Sequence, residues 1–420
     1  MKDARNGLPV VVGALVALLC VSLAVPPALA DYEQAMSYFR QKKYVEAAAE
    51  FEALLSNAPD WDYGYFMLGT CYLQLRKYRD AEQQYRKAIE LNNSKFPYHL
   101  NLAQALLQLK KYDDVVVTLD RAEDLAATDR EKRLLRKFRG LALARVKDYA
   151  RAIEDLNAVN DGKDYAVAAE LGRVCYTVGK YACAVKALEQ AIALKKDDAR
   201  SLKLLSQAHL ESARKSTAKA QKAAEYRKAA EAARRLLALE PDSTEGHELL
   251  GAALLGADDF AGAIAEFEAV LAREPKNCTA MLNIAQAYPK LEKWDKVLEW
   301  GKKAAECDPK SYLAYNQIAF AYNKMHRWDD AEAAASKALS LKDNPSSRQQ
   351  LEIARKGREA EETNRRAEAE RIAYEKALEE QRRREEEERR RIEEYKIRTG
   401  QAGTSKPDAK SGGEGGGGAP

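Results

Sequence analysis

Histidine is scarce in this chain: His99, His209, His247 and His326 are the only four in 420 residues. They lie far apart, none has a second ligand at metal spacing, and no HExxH or paired CxxC occurs. The patterns of a zinc hydrolase or a structural zinc module are therefore missing. Glycine is not gathered into a phosphate-binding loop, and no serine stands in a nucleophile elbow. An excess of one charge is lacking too. The 69 basic and 65 acidic residues leave a net +4, which gives no electrostatic reason to bind nucleic acid or an anionic lipid surface. The chain reads as a non-enzyme with no cofactor and no metal.

What it has is a period. Tyr44, Tyr78, Tyr112, Tyr149, Tyr181, Tyr226, Phe260, Trp294 and Trp328 follow one another at 34, 34, 37, 32, 45, 34, 34 and 34 residues. A period near 34 marks a two-helix unit that cannot bury its apolar face alone and must stack. Nine residues before most of these aromatics sits a small residue, as at Ala35, Gly69, Ala103, Gly140, Gly172, Gly251, Ala285 and Ala319. Three residues after each sits another compact one, such as Ala47, Ala81 and Ala263. Seven after it a large side chain is often kept, as at Phe51, Tyr85, Leu156, Leu188 and Phe267, whereas Ala233, Gly301 and Ala335 depart. Fifteen after it, Pro59, Pro241, Pro275 and Pro309 end the second helix, since proline cannot continue one.

Stretches such as Leu68-Gly69…Tyr72…Ala81…Tyr85 and Leu250-Gly251…Leu254…Ala263…Phe267…Pro275 resemble the tetratricopeptide repeat family. The resemblance covers residues 31–345. It implies an all-α, right-handed superhelical solenoid of about nine helix pairs with a concave groove. One interval is 11 residues too long, around Glu211–Glu225, and that Ala- and Lys-rich segment predicts a helical pair that projects beyond its neighbours.

The resemblance also implies a binding surface, because in the family the first helix of each pair lines the groove. Carried over, its beginning, mostly aromatic and apolar, is Tyr32, Met36, Tyr63, Phe66, Thr70, Leu100 and Gln104. A basic middle follows at Lys137, Arg173 and Lys203, with Tyr176 and Gln207 between and beside them. Gln286, Asn316 and Phe320 continue it. Asn316 has no lysine one turn away, with Phe320 in the partner place, so the family's clamp for a peptide C-terminus is not supported. Pro289 stands inside a first helix and predicts a kink or an early end there.

Residues 1–30 read as a secretory signal, with Lys2 and Arg5 before an apolar run and cleavage between Ala30 and Asp31. The rival reading is an uncleaved inner-membrane anchor. Either places the repeats outside the cytoplasm, periplasmic in a bacterial envelope. Export permits disulfides. Cys278 and Cys307 mark opposite ends of one antiparallel pair and could bridge. Cys175 and Cys183 flank one turn and could meet; the alternative for all is service as small apolar residues. Residues 346–398 alternate Arg and Glu at helical spacing and predict a charged single helix held by many weak ion pairs. Ala360, Ala367, Tyr374 and Leu378 form a thin seven-residue seam on it, too short and alanine-rich to define a coiled coil. Residues 399–420 read as a disordered Gly-rich tail.

These features predict a protein–protein interaction scaffold whose partners are cell-envelope proteins held in the groove. Two alternatives stand beside it. One is a spacer that self-associates through residues 346–398. The other is a carrier that binds a glycan or small ligand near Tyr63 and Phe66.

Overall fold

The computed structural model describes residues 27–400. Residues 1–26 of the expected signal sequence and most of the expected tail lie outside those residues; the expected cleavage point, between Ala30 and Asp31, falls within the first helix, Pro27–Arg40. Nineteen α-helices and no strand occur among the described residues. The helices form nine consecutive pairs followed by one long helix. The pairs are α1 (Pro27–Arg40) with α2 (Tyr44–Asn57), α3 (Asp62–Gln74) with α4 (Tyr78–Leu91), and α5 (Phe96–Gln108) with α6 (Tyr112–Arg121). Next come α7 (Asp129–Val146) with α8 (Tyr149–Val159), α9 (Tyr165–Thr177) with α10 (Tyr181–Leu194), and α11 (Ala199–Lys215) with α12 (Lys219–Leu239). Then follow α13 (Thr244–Gly256) with α14 (Phe260–Arg273), α15 (Cys278–Ala287) with α16 (Trp294–Cys307), and α17 (Tyr312–Lys324) with α18 (Trp328–Leu341). The last helix is α19 (Pro345–Arg398). The chain divides into two compact units, residues 1–269 and 270–420.

Eight of the nine periodic aromatics are the first residue of a second helix. Two residues before each of those eight, the backbone is left-handed, at Lys42, Arg76, Lys110, Lys147, Gly179, Asp258, Glu292 and His326. The amide one residue later donates back to the carbonyl five residues earlier, as from Lys77 to Tyr72 at 2.8 Å. This is a helix C-terminal lock that satisfies an orphan carbonyl and turns the chain. The sequence period is thus the period of one turn.

Tyr226 is the exception, and it accounts for the long interval. Helix α11 has 17 residues where α9 and α13 have 13, and α12 starts seven residues ahead of Tyr226. The eleven surplus residues divide four to the first helix and seven to the second, and most of residues 214–228 are exposed.

Packing inside a pair follows the small-to-large rule. A Cβ on Gly69 would come within 2.8 Å of the Tyr85 ring, on Gly172 within 2.6 Å of Leu188, and on Gly251 within 2.8 Å of the Phe267 ring. Tyr85, Leu188 and Phe267 are buried. The glycine lets a large side chain of the second helix lie on the backbone of the first. Where the pattern departs at Gly301, the next pair supplies the filler, Ile318.

The proline at 289 ends α15 at Ala287, and the chain continues as a 3₁₀ turn over Tyr288–Leu291. Early termination, not a kinked continuation, is the outcome. The second unit closes on α19. Its first turns pack on α17 and α18, burying Ser347, Gln350 and Ala354. Beyond Gly357 every residue of the helix is exposed.

Candidate partner-binding surface

In the first unit the first helices also touch one another: α3 meets α5, α5 meets α7, α7 meets α9, α9 meets α11 and α11 meets α13. The residues they present therefore share a wall. At its N-terminal end the aromatics form one connected cluster. Tyr32 lies edge-on to Trp61 at 5.8 Å, Trp61 meets Tyr63 at 6.2 Å, and Tyr63 meets Phe66 at 5.9 Å. Phe66 then stacks on Tyr98 at 4.8 Å. Each such pair adds about 0.5–1.5 kcal/mol beyond its buried area.

The hydroxyls in this cluster are donors. Tyr98 donates to Asp62 at 3.1 Å, and Asn92 donates to the same carboxylate oxygen at 2.8 Å. Burial pushes the Tyr98 hydroxyl above its ordinary range, and the Asp62 carboxylate pushes it further. Burial, then the neighbouring Tyr32, raises Tyr63. Thr70 turns inward: its hydroxyl donates to the Phe66 carbonyl at 2.8 Å and accepts from Tyr85 at 3.2 Å. Thr70 is thereby committed to the packing of its own pair.

Gln104 lies beside a small cleft of about 270 Å³. Leu73, Tyr78, Leu107 and Phe138 supply apolar walls, and Gln74, Gln104 and Gln108 supply amides. An amide offers both donors and an acceptor, the complement of a peptide backbone.

The basic middle is already neutralised. Lys137 pairs with Asp164, Arg173 with Glu170 at 2.7 Å, and Lys203 with Glu245. Gln207 also donates to Glu245, at 3.2 Å. Arg173 reaches on to the Ala144 carbonyl at 3.2 Å, tying α9 to α7. Tyr176 leans on Tyr181, with ring centroids 6.0 Å apart.

In the second unit, Asn316 holds α19: its amide donates to the Ser346 hydroxyl at 3.0 Å and its oxygen accepts from Ser347 at 3.1 Å. Phe320 lies edge-on to Trp294 at 5.7 Å, with Lys324 over both rings. Gln286 is half-buried on α15.

Sequence reasoning missed Trp61, Tyr98, Asp62, Gln74 and Gln108. It selected residues near the small Gly or Ala of each first helix, whereas Trp61 and Tyr98 lie at the helix starts. A signal was present in Gly64, whose Cβ would come within 2.3 Å of the Trp61 indole.

Two cysteine pairs are joined. Cys175 in α9 bridges to Cys183 in α10, and Cys278 at the start of α15 bridges to Cys307 at the end of α16. Cys71 is free and buried, and burial pushes its thiol up to about 12. No metal-holding cluster of His, Cys, Asp or Glu occurs among the described residues.

Stacked antiparallel helix pairs whose first helices share a wall define a helical repeat protein. The comparisons give the family. Models described as tetratricopeptide repeat match residues 219–267, 250–312 and 300–333. One described as anaphase-promoting complex, cyclosome, subunit 3 matches residues 40–122. The chain carries tetratricopeptide repeats. Among solved structures it is similar to the C-terminal part of a TPR repeat-containing protein from Cytophaga hutchinsonii, at 19% identity and TM-score 0.45, covering 60% of this chain and 99% of that one. A Pseudomonas aeruginosa pilF structure matches at 19% identity and TM-score 0.41, covering 53% and 95%. MamA from Desulfovibrio magneticus matches at 22% identity and TM-score 0.36, covering 43% and 94%.

Proposed function

We propose that this protein is an extracytoplasmic scaffold that holds an extended segment of a partner protein along the wall formed by the first helices α3 to α13. The observation that carries the reading is that α3 and α5 bear both the Trp61–Tyr98 aromatic cluster, at their starts, and the amide-lined cleft at Gln104, toward their C-terminal ends. Apolar surface supplies affinity there, and Gln74, Gln104 and Gln108 supply hydrogen bonds to a peptide backbone. The helices are preformed, so binding orders little of the scaffold. Pairing of Lys137, Arg173 and Lys203 removes the reason to seek an acidic partner in the middle of the wall.

An oxidising location is supported by the two joined cysteine pairs and by the leader-like residues 1–30. No helix among the described residues is long and apolar enough to cross a membrane. A cell-envelope assembly is the setting we favour.

The test is site-specific photocrosslinking in the native cell. A photoreactive residue at Gln104 should capture a partner segment, and one at Val45, exposed on a second helix, should not. A peptide made to the captured segment should bind the full chain and lose at least about tenfold in affinity, about 1.4 kcal/mol, on Tyr63→Ala with Gln104→Ala. Equal capture at both positions, or binding indifferent to the double substitution, overturns the reading. Stabilisation by an envelope glycan with no peptide captured would favour the carrier instead.

A further inference from the structure

The exposed length of α19 carries a seam, apolar at six of its eleven register positions, that nothing among the described residues covers. Ala360, Ala367, Tyr374, Leu378, Ile392 and Tyr395 fall on one seven-residue register with a four-to-three alternation, whose remaining places hold Asn364, Arg371, Gln381, Glu385 and Glu388. Tyr374 is 70% exposed and Tyr395 64%. Such a register is that of one helix laid against another.

The residues flanking the seam say which helix. Following the Ala360, Ala367 and Tyr374 positions come Glu361, Glu368 and Glu375; in the second half the same flank holds Arg382, Arg389 and Lys396. Acid and base are thus segregated by halves along one edge. Of these six, only Glu368 makes an ion pair among the described residues, with Arg371 at 2.8 Å. Off this edge, Arg366 pairs with Glu362 and Arg384 with Glu380 within the helix.

We infer that α19 pairs antiparallel with the α19 of a second copy. Turned end for end, the acidic half of one edge meets the basic half of the other: Glu361 faces Lys396, Glu368 faces Arg389 and Glu375 faces Arg382. The two-fold axis repeats each contact. In the same register Arg371 within the seam meets Glu388. A parallel pair brings the Arg384 and Arg391 side of one helix against Arg389 and Lys396 of the other, which repels. The root of the helix fits the same occupant. There, a cleft of about 960 Å³ between α19 and the start of α18 is lined by five carboxylates; Asp329, Asp330, Glu362 and Glu368 are paired with arginines, and Glu361 makes no ion pair among the described residues. An antiparallel partner brings Lys396 to Glu361, the one carboxylate of that cleft left without an ion pair among the described residues.

The experiment uses the full chain. Sedimentation should show a dimer whose dissociation constant rises at least about tenfold with Glu361→Lys, Glu368→Lys and Glu375→Lys together. The reciprocal set, Arg382→Glu, Arg389→Glu and Lys396→Glu, should be equally weakened, and an equimolar mixture of the two should pair again. Helix content by circular dichroism controls for folding. Spin labels at Ala367 should lie about 37 Å apart along the axis, against about 10 Å in a parallel pair. Labels at Glu379, near the dyad, should be close. A monomer at all concentrations, a dimer indifferent to both charge reversals, or a short Ala367 distance overturns the inference. So does a dimer that survives removal of residues 360–420.

Discussion

Arg139 donates to Asp155 through both Nε and Nη2, at 2.7 and 3.0 Å, and both side chains are buried. The rest of the guanidinium is spent on Glu123 at 2.8 and 3.2 Å and on Asp120 at 3.0 Å. Arg151 offsets the surplus negative charge from the far side of Asp120, at 2.6 Å. Arg139 directly precedes Gly140, and Asp155 directly precedes Leu156. The ion pair is therefore the neighbouring rung to the contact in which Leu156 lies on the Gly140 backbone, within 2.9 Å of where a Cβ would be.

Breaking this pair from one side leaves a buried charge alone. Arg139→Ala strands Asp155 and should cost the first unit about 3–5 kcal/mol. Replacing both, as Arg139→Met with Asp155→Leu, should cost far less, because two apolar groups of similar size need no partner. Urea unfolding of the three chains checks this. Equal losses in the single and the double variant would sink the account.

The network also sets an acid limit. The Arg139 guanidinium beside Glu123 holds its carboxyl below the ordinary 4.5, against the opposing effect of burial. A carboxylate whose folded-state value is lowered stabilises the fold above its unfolded value, and that stability is lost as pH falls through the folded one. Stability should therefore be flat above pH 4.5 from this source and decline below it. In the Arg139→Met chain the Glu123 resonance should titrate closer to 4.5, as a carboxyl-selective NMR titration would report.

The turns offer a stabilising change. Arg76 is exposed and left-handed, with φ of 59°, a conformation that costs a side-chain-bearing residue about 1–2 kcal/mol. Gly179 fills the equivalent place three units of the pattern later without that cost. Arg76→Gly should therefore gain about 0.5–1 kcal/mol, the steric relief less the entropy glycine brings to the unfolded chain. Thermal melts measure it. The same change at Lys77, one residue on, should only destabilise.

How much of this was legible follows from what repeats. The helix pairs were readable because an aromatic opens eight second helices and a glycine such as Gly69 must yield to a ring such as Tyr85. Both are local necessities that recur. The early end of α15 was written in Pro289, although its outcome needed the backbone. The wall was less legible. Lys203 and Glu245 stand 42 positions apart, so a sequence shows a free cation where the fold makes a pair. Asn316 reads as a groove amide until Ser346 and Ser347 arrive from the next helix. Nonlocal partners of single residues have no period, and for that reason the sequence hides them.

The cysteine bridges should differ in weight. Cys278 and Cys307 are 29 positions apart, and closing that loop is worth about 3–4 kcal/mol in the chain-entropy account. Cys175 and Cys183 are 8 apart, worth about 2–3 kcal/mol. Reduction should accordingly loosen α15 and α16 more than α9 and α10. Hydrogen exchange with and without reductant compares them directly, and equal protection in both states would show the bridges to be idle.

The long helix should prove to be two things joined end to end. Asn323, buried on α17, donates to both the Gln350 carbonyl and its side-chain oxygen at 2.9 Å. Ser347 and Ala354 are fully buried beside it, and the Gly357 backbone lies under the Trp328 ring. These residues cap the last pair, supplying the cover that a terminal repeat otherwise lacks. A chain ended after Glu359 keeps the cap and should melt with the full-length protein. A chain ended after Pro345 uncovers α17 and α18, leaves Asn323 without its acceptors, and should melt at least about 4 °C lower. The two lengths differ by only a few turns of helix, so the contrast reads the cap alone. If both truncations melt together with the intact chain, the packed start of α19 contributes nothing, and the whole helix would have to be counted as solvated.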